Sequence, residues 1–434
     1  MSIAEWQAWL YSRLKVYEQT GRKALHPTLA FMKRWDEVLG APHRRYPIIH
    51  IAGTNGKGST SALIASILRT AGYRVGLHTS PHLWRFTERM RVNGEEPPAE
   101  WVDEFLSRWR AAIEELQLSF FEATVGMSLA YFADAKVDVA VVEVGLGGRW
   151  DATNIVTPLL AVITPIGWDH VEVLGPTLTH IAREKAGIIK PERPVVVAQQ
   201  EHPEVYEVFR EVAHNQNAPL TEVHRRLSPA AWMEGPQTYY RVFTEEMTST
   251  SHLCDLTGDY QAVNIATAIT AIERLRDLGW SVDEEAIKEG IASAGRLAPL
   301  YGRGQWIRSE THTYLLDVAH NPPGFAALRR LVRNAPQTIE GLVIGFSSDK
   351  DIEGALHAFG GWQGPVYFTQ ADNPRALPAP HLAEIASHLG YKGRAFRSVA
   401  DALAAASQEC QTILVTGSVY LVGEALLALR AAAQ

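Results

Sequence analysis

Cysteine is the scarcest chemistry in this chain, with only Cys254 and Cys410 among 434 residues. Two thiols so far apart in sequence supply neither a disulfide framework nor a zinc ligand set, so a reducing cytoplasm is the expected setting. No apolar run reaches the roughly 20 residues of a membrane-spanning helix. The start, Met1-Ser-Ile-Ala-Glu-Trp6, lacks the basic stretch and apolar core of a secretory leader. Positive charge is not in surplus either. A formal net charge of −7 argues against a nucleic-acid partner, and nothing points to a membrane one. What remains, 46% hydrophobic and 21% charged residues, is an ordinary globular composition of a length that suits two or three domains.

Against that background, one stretch stands out. Pro47-Ile-Ile-His-Ile-Ala52 is followed by Gly53-Thr54-Asn55-Gly56-Lys57-Gly58-Ser59-Thr60 and then by a segment with apolar residues at 63, 64, 67 and 68. The pattern reads as strand, phosphate loop and helix. The glycines let backbone N–H groups approach phosphate oxygens, the helix start adds the positive end of its dipole, and Lys57 brings a full charge. Ser59 or Thr60 suits a Mg²⁺ that bridges the terminal phosphates. The loop departs from the usual G-x-x-x-x-G-K-[ST], because Gly58 separates Lys57 from Ser59 and Ile51 stands where the first glycine should fall.

Along the rest of the chain, residues 1–46 read as helical. Arg74–His78 reads as a strand delivering Thr79-Ser80-Pro81-His82-Leu83, and residues 100–136 as two helices. The uninterrupted run from Val137 to Val144 predicts a strand buried on both faces, with Glu143 near its carboxyl end. A carboxylate there needs a partner, either a metal or a structural salt bridge, and the phosphate loop beyond the same sheet edge favours Mg²⁺. Leu159–Ile163 repeats the device and leads into Thr164-Pro-Ile-Gly-Trp-Asp-His170, where a metal-ligating role for His170 and a plain loop residue are equally readable. Lys185 lies in an expected helix, Thr177–Ile189, and nothing in its surroundings singles it out. Residues 200–257 carry no clear pattern. Gly258–Leu275 has helical spacing, with Asn264 near its start.

From Tyr314 onward, short strands alternate with helices, and the first strand ends in Asp317-Val-Ala-His320-Asn-Pro322. Asn321 suits a helix N-cap with Pro322 at the first helical position. No G-x-G-x-x-G follows. The expected architecture is therefore α/β: an N-terminal P-loop ATPase domain over 1–297 with a mostly parallel sheet, and a smaller Rossmann-like α/β domain over 298–434.

Taken together, the motifs around Gly53–Ser59, Thr79–Leu83, Glu143–Asn154, Asp169-His170, Arg183–Ile188, Asp317–Pro322, Ser348–Asp351 and Thr416–Ser418 resemble the folylpolyglutamate synthase and dihydrofolate synthase family, within the Mur-type ATP-dependent amide ligases. The resemblance runs over nearly the whole chain. It implies ATP and two Mg²⁺ sites, with Ser59 and Glu143 on one ion and His170 on the other. It further implies a CO₂-derived carbamate on Lys185 that reaches metal, and nucleotide contacts from Asn264, Arg303, Asp317 and His320. Ser80, Pro81, His82, Arg149 and Asp151 are the implied substrate side. The partners implied are folate or dihydropteroate and L-glutamate, and the family's habit implies a monomer. Tyr260, Tyr301 and Trp150 depart from the family's usual histidine, proline and leucine. A cell-wall Mur ligase, or a nucleotide-dependent regulatory switch, are the competing readings. The first is disfavoured by the Thr79–Leu83 and Asp317–Pro322 motifs, and the second leaves the C-terminal α/β unit unexplained.

Overall fold

The structure, a computed structural model, describes residues 1–234, 237–244 and 249–432. The described chain divides into two compact units. The first takes in 1–230, 241–255 and 262–299, and the second 231–240, 256–261 and 300–434. A single cut near residue 298 leaves the two short segments, 231–240 and 256–261, with the first unit; their contacts assign them to the second.

The first unit is built on a seven-stranded sheet ordered β3-β2-β4-β1-β5-β6-β7. Its strands are β1 Ile48–Ala52, β2 Val75–His78, β3 Met90–Val92, β4 Val139–Glu143, β5 Leu160–Ile163, β6 Val195–Val197 and β7 Leu220–Glu222. β3 runs antiparallel to β2, while the other neighbours are parallel. Every residue of β1, β4 and β5 is buried, as expected for near-continuous apolar runs in a parallel sheet covered by helices. The covering helix Phe120–Asp134 starts in a capping box: Ser119 Oγ accepts from the Glu122 N–H, and the Glu122 carboxylate accepts from the Ser119 N–H.

The helix after the phosphate loop runs Lys57–Thr70, so it begins inside the glycine-rich stretch itself. Gly56 caps it at φ 86°, a left-handed conformation that glycine adopts without strain, so Lys57, Gly58, Ser59 and Thr60 all belong to its first turn. The stretch after 200 also holds more structure than its mixed pattern announces. It contains a helix Pro203–Asn215, β7, and a separate sheet ordered β10-β9-β8 from β8 Leu227–Glu234, β9 Gln237–Thr244 and β10 Ser249–Cys254. Both cysteines are buried free thiols.

The second unit carries a six-stranded sheet ordered β11-β12-β16-β13-β14-β15. These strands are β11 Gln305–Arg308, β12 Thr313–Asp317, β13 Gly341–Ile344, β14 Val366–Phe368, β15 Gly393–Ala395 and β16 Thr412–Thr416. Only β11 is antiparallel to its neighbour. Asn321 caps the helix Pro322–Arg333, its Oδ1 accepting from the Gly324 N–H at 2.9 Å. No helix among the described residues is long and apolar enough to cross a membrane.

Candidate active site

Ligands of open α/β sheets gather beyond the carboxyl ends of the strands, and the first unit's candidate residues meet at that edge. The phosphate loop leaves β1 and is tied to the segment leaving β5. The Thr54 and Asn55 N–H groups donate to the Pro165 carbonyl, the Gly167 N–H donates to Thr54 Oγ1, and Thr54 Oγ1 donates to the Gly167 carbonyl. Gly53, at φ 148°, lies so close to Thr164 that a Cβ there would fall 1.8 Å from Thr164 Oγ1. A Cβ on Gly56 would fall 2.3 Å from Asn264 Oδ1, so the helix Gln261–Asp277 brings Asn264 directly against the loop. Among the described residues, the buried hydroxyls of Thr60 and Thr164 have no hydrogen-bond partner.

Two lysines converge on one carbonyl. Lys57 Nζ donates to the Gly53 and Thr54 carbonyls at 3.2 Å each, and Lys185 Nζ donates to the Gly53 carbonyl at 2.7 Å. Burial pushes the Lys185 ammonium down to about 7, and the Lys57 charge pushes the same way, against the pull of Asp169 and Asp151. A lysine nine-tenths buried that is substantially neutral near pH 7 is a nucleophile rather than a solvated charge. Burial of Lys185 is invisible in its local residue pattern, since the Gly53 carbonyl it bonds and the Gly148 backbone packed against it lie elsewhere along the chain.

Glu143 ends β4 with 3% of its surface exposed, and its Oε2 accepts from the Ser80 N–H at 3.0 Å. His170 caps a short helical turn in a left-handed conformation; its Nδ1 lies 3.3 Å from the Tyr17 hydroxyl and its Nε2 3.7 Å from Asp169 Oδ1. Among the described residues, no three His, Cys, Asp or Glu side chains group closely enough to hold a metal by themselves. One carboxylate, a serine hydroxyl and unpartnered threonine hydroxyls beside a phosphate loop form a donor set suited to Mg²⁺. That ion takes one or two protein oxygens and completes its shell with phosphate and water.

The substrate-side residues separate into two kinds. Ser80 is half-buried and Pro81 exposed on their loop, whereas the His82 side chain is buried beneath it. Arg89 Nε donates to His82 Nδ1 at 2.8 Å, and His82 Nε2 is 2.8 Å from the Tyr11 hydroxyl. Burial and the Arg89 charge hold this imidazole well below its usual pKa. Asp151 is likewise occupied by its own loop: Oδ2 accepts from the Leu146 N–H, and Oδ1 from the Thr153 N–H and hydroxyl. Arg149 stays half-exposed, with Nε 3.8 Å from Glu184. Trp150 beside it is 53% exposed.

In the second unit, Asp317 ends β12, buried, with its oxygens accepting from the Gly304 and Ala319 N–H groups at 2.8 Å. Burial raises its pKa against these bonds and the Arg303 charge beside it. Tyr260 lies next to the same carboxylate, and its phenol is pushed well above its usual value by burial first and by Asp317 second. His320 Nδ1 donates to the Val318 carbonyl at 2.9 Å. Thus Tyr260, Arg303, Asp317 and His320 share one edge of this unit's sheet.

A phosphate loop with a buried carboxylate on the neighbouring strand, in a chain that also carries a second α/β unit, defines a class, and two family models name it. The Mur ligase middle domain matches residues 51–272, and the Mur ligase, glutamate ligase domain matches residues 302–419. This is the architecture of ATP-dependent Mur-type ligases. The dihydrofolate synthase/folylpolyglutamate synthase of Escherichia coli (strain K12) is 38% identical over 383 residues, covering 87% of this chain and 86% of that protein. That of Bacillus subtilis (strain 168) is 33% identical over 433 residues, covering 96% and 97%. An E. coli FolC structure in complex with DHPP and ADP superposes with a TM-score of 0.85 at 34% identity, over 100% of this chain and 99% of that one. A Mycobacterium tuberculosis folylpolyglutamate synthase complexed with ADP and AMPPCP gives 0.86 at 30%, over 98% and 97%. The chain belongs to the dihydrofolate synthase/folylpolyglutamate synthase family of ligases.

Proposed function

We infer that this enzyme joins L-glutamate to the carboxylate of a pterin acid, dihydropteroate or a reduced folate, and splits ATP to ADP and phosphate. The observation that carries the reading is the pair Lys57 and Lys185 on the Gly53 carbonyl of a phosphate loop stitched to the segment leading into His170, with Glu143 in register opposite Ile51 of the strand that feeds the loop.

A carboxylate is a poor acyl donor because its leaving group would be oxide. Its oxygen attacks the γ-phosphorus of ATP, the bond to the bridging oxygen of ADP breaks, and an acyl phosphate forms. The glutamate ammonium loses one proton and its amine attacks the acyl carbon; the tetrahedral adduct gives up a second nitrogen proton as the C–O bond to phosphate breaks, leaving an amide and inorganic phosphate. Such chemistry needs positioning and charge neutralisation more than a protein nucleophile.

The loop from Gly53 to Thr60 cradles the phosphates and Lys57 neutralises them. Asn264, Arg303, Asp317 and His320 are assigned to the nucleotide. Ser59, Glu143 and His170 are the residues that would hold two Mg²⁺, and such ions would supply further neutralisation of phosphate charge. Lys185 is carbamylated: its neutral amine attacks CO₂, an N–C bond forms, and one proton leaves to solvent. The cation thereby becomes a carboxylate able to face metal, and the positive charge that burial disfavours is removed. Ser80, Pro81 and Arg149 are assigned to the acceptor, with His82 and Asp151 shaping its walls through the bonds described above. The enzyme acts as a cytoplasmic monomer.

The test is ADP release with MgATP and L-glutamate, comparing dihydropteroate, tetrahydrofolate and a nucleotide-sugar peptide as acceptor, with product masses read in parallel. ADP formation with a pterin acid and a product one glutamate heavier is expected. ADP release stimulated by the nucleotide-sugar peptide alone would overturn the acceptor assignment.

A further inference from the structure

A histidine in the middle of a buried parallel strand is costly unless it is hydrogen-bonded to some purpose. His50 sits in β1 with none of its surface exposed, flanked by Ile49 and Ile51. Its Nε2 is 2.8 Å from Thr153 Oγ1, and Thr153 Oγ1 is 2.5 Å from Asp151 Oδ1. The direction of these bonds follows from the donor inventory. Asp151 accepts from the Leu146 and Thr153 N–H groups and, as a carboxylate, also accepts the one hydroxyl proton of Thr153. The Thr153 oxygen is then left to accept from His50, so the imidazole carries its proton on Nε2. Nδ1 is a buried lone pair with no partner among the described residues. Burial, helped by the charge of Lys190 and by His78, holds the ring neutral, with its pKa near 3.

The chain of bonds ends on the loop between β4 and the next helical turn. Asp151 ties that loop to itself through Leu146. The Asn154 side chain ties it to the turn after Lys185, its Nδ2 donating to the Arg149 and Gly187 carbonyls at 3.0 and 3.1 Å. The Lys190 ammonium adds a bond to the Asn154 carbonyl at 3.3 Å.

We propose that His50 is a positioning residue for the acceptor: its Nε2–H, relayed through the Thr153 hydroxyl, orients Asp151 and fixes the 145–151 loop. The phosphate loop leaves the same strand two residues later, so β1 serves the nucleotide with its end and the acceptor loop with its middle. The proposal rests on the reading that this loop faces the pterin acid.

Glutamine places an N–H near the position of Nε2, whereas asparagine reaches only that of Nδ1. This asymmetry supplies the test on the full-length enzyme. His50→Asn and Thr153→Val are expected to raise KM for dihydropteroate or tetrahydrofolate about tenfold or more while KM for MgATP stays within about twofold, in keeping with the cost of a misplaced binding loop. His50→Gln is expected to restore acceptor KM to within about threefold of the parent. The double variant His50→Asn/Thr153→Val should be no worse than either single change, because both break one chain of bonds.

Amide hydrogen exchange across 145–153 in the unliganded protein reads the same network without substrate. Protection should fall about tenfold in the Asn and Val variants, persist in the Gln variant, and leave β5 unchanged in all of them. Equal behaviour of Gln and Asn, parallel shifts in both KM values, or multiplying effects in the double variant would each overturn the proposal. If the parent turns over no pterin acid, the acceptor reading falls, and the exchange pattern alone decides the fate of the His50 network.

Discussion

Lys185 carries the sharpest conflict between a residue and its surroundings in the first unit. A primary ammonium nine-tenths buried, with a second lysine on the same carbonyl, is held near pH 7, where an exposed lysine would titrate above pH 10. The carbamate proposed for Lys185 would replace this cation beside Lys57 with an anion. Turnover is therefore expected to fall several-fold in buffers stripped of CO₂ and to recover on adding bicarbonate. A Lys185→Ala variant should show no such response and should regain part of its activity with a small carboxylic acid. Indifference of the parent enzyme to CO₂ would leave Lys185 acting as a neutral amine. Asp151 and His82 teach the complementary lesson. The family resemblance assigned both to the substrate side, and in the structure their polar atoms also bond Leu146, Thr153, Arg89 and Tyr11.

At the scale of elements, register decides what the strands do. His50 of β1 and His78 of β2 both pair with Val142 of the strand between them, so two neutral imidazoles flank one valine across the sheet. His78 Nδ1 donates to Ser128 Oγ, which itself donates to the Thr124 carbonyl. Burial first and the Arg89 charge second lower its pKa to about 3. The unfolded histidine takes up a proton near pH 6.5 while the folded one refuses it down to about 3, so its stabilising contribution is complete above about 6.5 and drains away as pH falls. The slope in that window is about 1.4 kcal/mol per pH unit for each such histidine. His78→Asn, which keeps a donor for Ser128, should flatten the fall in unfolding free energy between about pH 6 and pH 4 by that amount, measured by urea titration. An unchanged slope would show that His78 titrates in the folded state. The same scale explains what was legible in the sequence. Contiguous chemistry, as in Gly53–Thr60, and apolar runs buried on both faces, as in β4 and β5, announce themselves. By contrast, β15 is a fully exposed Gly-Arg-Ala, and β8 to β10 mix polar and apolar residues, so neither offered a pattern to read. Thr153 for His50, Tyr11 for His82 and Gly53 for Lys185 lie 103, 71 and 132 residues away along the chain, and these pairings emerge only once strands and loops are assembled.

For the whole molecule, the two compact units carry separate apolar cores, one set around β1, β4 and β5 and another around Leu315, Phe325 and Leu342. Stability and nucleotide binding are linked across the entire chain by mass action: a ligand that binds only the folded state adds RT ln(1 + [L]/Kd), about 2.7 kcal/mol at a hundredfold excess over Kd. A non-hydrolysable ATP analogue with Mg²⁺ should therefore raise the unfolding midpoint in proportion to the logarithm of its concentration. Lys57→Ala removes one pre-organised charge from the phosphate loop and should both cut turnover by about 10²-fold or more and move that concentration dependence to higher analogue levels. Near-normal turnover in that variant would take Lys57 out of the reaction. A lowered turnover with an unchanged thermal shift would instead mean that its charge acts only on the transferring phosphoryl group, which separates holding the nucleotide from breaking it.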